Sequence, residues 1–82
     1  MTPEQKAAAD AVEALMMAFE SEAEMAARSG GPSYEQWLSR IKKINALRAA
    51  HPAMAPYELN ALDFCEEEAR QALAIVGKRQ NG

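Results

Sequence analysis

The stretch HPAMAP, residues 51–56, decides the fold of this chain. Two prolines four residues apart preclude a continuous helix through it. Pro52 disfavours helical backbone at His51. Pro56 suits the first position of a new helix. Upstream, Tyr34, Trp37, Leu38, Ile41 and Ile44 recur at helical spacing. Downstream, Leu59, Leu62, Cys65, Ala69, Ala72, Leu73 and Val76 do the same. Each set forms an apolar stripe of the kind an amphipathic helix turns toward a core. HPAMAP therefore connects two helices.

The spacing predicts the upstream helix over 33–51, opened by a capping box of Ser33 and Gln36. It predicts the downstream helix over 56–76, with Glu58 in a favourable first turn. Ala55 has no side-chain acceptor, so this start lacks a good cap. Gly77 is expected to end the helix, with Lys78 and Arg79 near the negative end of its dipole. Residues 77–82 are then expected to form a flexible tail.

A second break, SGGPS at 29–33, separates a first helix over 2–29. Thr2 and Gln5 form another capping box, Pro3 fits the first helical position, and Gly30 or Gly31 can take the left-handed C-terminal conformation. Its stripe is Ala8, Val12, Leu15, Met16, Phe19, Ala23 and Ala26. No segment alternates with period two, so no strand is expected. The short link between the first two helices makes them antiparallel neighbours. The expected fold is all-α, a three-helix up-down-up bundle forming a single domain over 1–82.

At 82 residues the chain is near the lower limit for an unaided core. Its single cysteine excludes an internal disulfide and suits a reducing compartment. The N-terminus reads MTPEQKAAAD, without the basic and apolar regions of a secretory signal. No apolar run is long enough to span a bilayer, so a cytoplasmic location is expected. The net charge of −3 weighs against generic nucleic-acid binding.

The residues with chemical potential cluster in FCEEEARQ, 64–71. At about 100° per residue, Cys65 falls in the apolar arc, Glu66 and Glu68 on its flanks, and Glu67 opposite. Three consecutive helical residues cannot converge on one ion, and no HExxH, CxxC or Glu-x-x-His motif is present. Cys65 is expected to be a small core residue. Glu66 and Arg70 are spaced for an i, i+4 ion pair. With one histidine, no phosphate loop and no nucleophile–base pair, the sequence points to a non-enzymatic protein without metal or cofactor.

Two binding classes are left. The first uses apolar residues outside the core stripes. Phe64 and Ile75 are eleven residues apart and align on one face of the third helix, with Glu68 and Gln71 between them. On the first helix, Met17 lies among Glu13, Glu20 and Glu24. Apolar anchors in acidic surroundings suit a protein partner with a basic surface, or a homodimer. The expectation is a regulator, inhibitor or adaptor that occludes or tethers its partner. By analogy of size alone it would be of microbial or phage type, directed at a nucleic-acid-handling complex. The second class is a nucleic-acid-binding transcriptional regulator using the second helix, where Arg40, Lys42, Lys43 and Arg48 interleave with Tyr34 and Trp37. Asn45 and Arg48 project toward the apolar arc there and are expected to be wet where the bundle opens; the functional alternative is that they line an exposed groove with Leu47.

Overall fold

The computed structural model describes residues 2–81, with side chains described for 2–78. Three helices follow in order: α1 Pro3–Ala27, α2 Tyr34–Ala50 and α3 Pro56–Asn81. The fold is the all-α three-helix bundle that the two breaks imply, with no strand among the described residues.

Local chemistry explains the ends. Thr2 Oγ1 accepts from the Gln5 backbone N–H at 3.1 Å, and Gln5 Oε1 accepts from Thr2 N–H at 3.0 Å. Ser33 and Gln36 repeat the arrangement at 3.2 and 2.7 Å. Each box satisfies two donors that a helix start would otherwise leave open. At the end of α1, Gly30 and Gly31 take φ of +91° and +109°, and Gly31 N–H donates to the Ala26 carbonyl at 2.8 Å. Only glycine occupies that region without a Cβ penalty. His51 leaves the helical region at φ −129°, ψ 73°, as the following proline demands.

One expectation fails here. Helix α3 does not end at Gly77 but continues to Asn81, so the segment 77–81 is helical rather than a loose tail; Gly82 lies outside the described residues. A glycine costs a helix only about 1 kcal/mol, and no proline follows it. A Cβ added at Gly77 would lie 3.8 Å from the Tyr34 ring, so this glycine packs at ordinary distance against the start of α2. HPAMAP is the connection expected, and it also contributes to the core. Met54 is buried in the core with Ala8, Val12, Phe19, Ile44 and Leu62, although the sequence assigns it to a connection. A turn closed by Met54 N–H to the His51 carbonyl at 3.2 Å swings it under the bundle.

The burial pattern is finer than the stripes suggest. On α1 the inward positions include the series 8, 12, 15, 19, 22 and 26, and on α3 the series 58, 62, 65, 69, 72 and 76. Both alternate four and three residues, the spacing of helices packed side by side. Ala23 and Leu59, assigned to the stripes by sequence, are exposed. Helices α2 and α3 share the most extensive interface, with Ala69 fully buried between neighbours, while α1 packs more lightly on both. The bundle is long and thin, 49 × 21 × 16 Å, with a radius of gyration of 14.0 Å. A compact chain of this length would have about 12 Å.

Candidate functional site

The inward positions are not all apolar, and the charged ones explain the fate of the basic residues of α2. Arg40 is only 6 % exposed. Its Nε donates to Glu22 Oε1 at 2.9 Å and its Nη2 to the Phe19 carbonyl at 3.1 Å. Its guanidinium lies 4.9 Å from the centre of the Phe19 ring and 4.6 Å from Trp37. Arg40 thus ties α2 to α1 through a charge-assisted pair and the Phe19 ring face, with Trp37 of its own helix against the guanidinium.

Arg48 is half-buried and donates to Asp63 and Glu66 of α3, and to Asn45 Oδ1 at 3.2 Å. Glu66 accepts in addition from Arg70 Nε at 2.9 Å, the i, i+4 pair that its spacing predicts. These two arginines hold the Glu66 carboxyl below the ordinary glutamate range, their hydrogen bonds outweighing its partial burial. The Arg48 pKa is raised in return, chiefly by its bond to Glu66. Asn45 is exposed, as expected, whereas Arg48 is taken up by α3 rather than lining an open groove with Leu47. Arg48 clamps α2 to α3, and Leu47 packs against the core.

Of the four cations expected to face nucleic acid, Lys42 and Lys43 alone are exposed. Arg40 and Arg48 are used inside the bundle, so the four do not make one basic surface.

Cys65 is half-buried at the α1–α3 contact, and its thiol donates to Met16 Sδ at 3.3 Å. Burial, helped by the Glu68 charge, raises its pKa, which keeps it a thiol rather than a nucleophilic thiolate. Among the described residues no group of three or more His, Cys, Asp and Glu is placed to hold a metal ion. No helix there is long and apolar enough to cross a membrane.

The partner-facing residues are placed differently. Phe64 is 72 % exposed and Ile75 56 %. Phe64, Glu68 and Gln71 line one shallow depression together with Glu67, whose Oε1 accepts from Gln71 at 3.1 Å. Ile75 follows Gln71 by one turn on the same face. The structure does not bring Met17 to this face. Met17 is exposed almost opposite the buried stripe of α1, and Glu20 and Glu24 are exposed beside it.

Glu13 alone of that α1 set turns toward α3. It lines a groove of about 360 Å³ between α1 and the first turns of α3. Ala9, Val12 and Met16 form one wall, and Tyr57, Glu58 and Ala61 the other. Sequence reasoning missed Tyr57, which is 82 % exposed, and Ala61. Their signal is visible in hindsight: Tyr57, Ala61, Phe64, Glu68, Gln71 and Ile75 repeat the four–three spacing one residue ahead of the buried positions. A second seam therefore runs along α3 beside the first. A separate cleft of about 500 Å³ beneath the α1–α2 turn is lined by Met25, Val76 and turn residues, with no charged side chain to orient a ligand.

Fold and surface together define a small helical bundle with one uncovered apolar seam in acidic surroundings. Comparison with protein families, curated proteins and solved structures returns no match.

Proposed function

We propose that this chain is a non-enzymatic protein-binding module that uses the outer seam of α3 to occlude or tether a partner with a basic surface. The observation that carries this reading is the exposure of Phe64 and Ile75 on one face with Tyr57. Large apolar residues aligned over the length of a helix are the pattern of a docking face, whereas single exposed ones are ordinary. Glu67, Glu68 and Glu13 give this face a negative rim, which steers a cationic partner and sets its orientation. A regulator, inhibitor or adaptor role in the cytoplasm, directed at a nucleic-acid-handling complex, fits a basic target. A homodimer would use the same seam.

The test is a pull-down from the native host with wild type and the Phe64→Asp/Ile75→Asp double variant, bound proteins being identified by mass spectrometry. A partner held by wild type and lost by the folded variant supports the reading. Equal capture by both removes the seam from the function. The nucleic-acid reading is left with Lys42 and Lys43. An electrophoretic shift at low salt that Lys42→Glu abolishes would favour it over the seam.

A further inference from the structure

We infer that the outer seam of α3 is covered by a second copy of this chain, antiparallel across a two-fold axis, with Phe64 of each copy against Ile75 of the other. This rests on the reading of that seam as a docking face, and names its occupant.

The first observation is area. The folded chain exposes 5647 Å². A compact monomer of 9.0 kDa exposes roughly 4,900 Å². The excess, roughly 750 Å², is about what each partner contributes to an interface of standard size. A core of this length is marginal alone, and association is one way small chains supplement it.

The second observation is the order of residues along the seam. Exposed Lys78 follows Ile75 by three residues, so the seam reads Tyr57, Ala61, Phe64, Glu68, Gln71, Ile75, Lys78. In a two-fold contact residue i meets residue j, and j meets i. An antiparallel pair therefore reads the seam against its own reverse. One register sets Phe64 against Ile75 of the second copy, Glu68 against its Gln71, and Ala61 against its Lys78. Two apolar layers then flank a centre where each Gln71 amide can donate to a Glu68 carboxylate. Phe64, Glu67, Glu68 and Gln71 line a depression of about 190 Å³, the four-residue hole that a knob of a facing helix enters. In this register the knob is Gln71 of the second copy. Glu67 faces exposed Ala74 of the second copy, so no carboxylate lies directly opposite another.

Lys78 supplies the charge argument. Ala61 shares the groove at the start of α3 with Glu13 and Tyr57, and that lining contains no lysine or arginine. Lys78 of the second copy arrives at this level, its stem over the small Ala61 and its ammonium beside Glu13. The contact occurs twice, once at each end of the interface. One chain cannot make it, because Lys78 lies about 25 Å along the helix from Ala61. Other arrangements lose these pairs. A shift of one heptad sets Phe64 against Glu68, or Ile75 against Gln71. A parallel pair stacks Glu68 on Glu68 and Lys78 on Lys78. A foreign helix would have to repeat in reverse an order that α3 already carries.

Light scattering after size exclusion, with samples from about 1 μM to about 1 mM, tests this. Wild type should reach twice the 9.0 kDa chain mass. Phe64→Asp and Ile75→Asp should each be monomers, folded by circular dichroism. Lys78→Glu and Glu13→Lys should each weaken the dimer about fivefold, the scale of an exposed charge pair. Mixed in equal amounts, these two should form a heterodimer as tight as the wild-type dimer, because both end contacts then join opposite charges. A monomer throughout overturns the inference, while the pull-down still decides whether the seam docks another protein. A dimer lost in Phe64→Asp but without recovery in the mixture overturns the antiparallel register and keeps the seam. A dimer that survives both aspartate variants overturns the pairing and the seam together.

Discussion

Arg40 and Phe64 make an instructive contrast. On α2, a charged residue that seems made for a polyanion is buried, stacked between two rings and paired with Glu22. On α3, an aromatic residue that seems made for a core is largely exposed. Helix α2 is the middle element of the bundle, flanked by two acidic helices, so its arginines find internal carboxylates. Helix α3 meets its neighbours along one seam and leaves the adjacent one open. Residue type set neither outcome. Position relative to the packed faces did.

That contrast breaks first at Arg40. Arg40→Ala should destabilise by about 3 kcal/mol, because it leaves Glu22 half-buried without its partner. A urea midpoint like that of wild type would show that the arginine is not structural. The double variant Arg40→Met/Glu22→Leu should recover most of the loss, since an apolar pair removes both charges together. Met54→Ala should cost about 2 kcal/mol by cavity formation. If the cost is within 0.5 kcal/mol, the connection does not contribute to the core.

The α2–α3 clamp gives a smaller effect with a pH signature. Glu66 is held below the ordinary carboxyl range by Arg48 and Arg70. Its contribution is fully present above the unfolded glutamate value, about 4.3, and is lost as pH falls through the lower folded value. Glu66→Gln should cost about 1 kcal/mol at neutral pH and flatten the acid limb of the stability profile. An unchanged acid limb would take Glu66 out of the clamp. Cys65 titrates in the opposite sense, its folded pKa being raised. Its thiol should react slowly with a maleimide in the folded state and fast in denaturant; rapid native labelling would contradict its packing against Met16. The smallest effect is expected on the outer seam. Phe64→Asp and Ile75→Asp should change stability by less than about 0.5 kcal/mol, as exposed positions do. A large loss would mean that these residues are covered in the folded monomer.

Much of the architecture was legible along the chain. Both capping boxes, the glycine turn and the stop at His51 depend on neighbours within a few residues, and each is present. The Glu66–Arg70 pair was legible for the same reason. The end of α3 was not, because Gly77 only weakens a helix and the residues beyond it favour one. Arg40 and Arg48 were illegible in another way. A helical wheel shows that they sit near an apolar arc, but their partners lie on other helices: eighteen residues away for the Arg40–Glu22 and Arg48–Glu66 bonds.

By itself, then, the sequence determined three helices and their order, because caps, prolines and apolar periodicity act over one or two turns. Tertiary structure alone decided which charges are consumed and which apolar residues stay open. Those outcomes depend on which flank of each helix its neighbour covers. The stretch HPAMAP shows both levels. Its prolines end one helix and begin the next by local sterics, while the burial of Met54 required the two helices to meet above it.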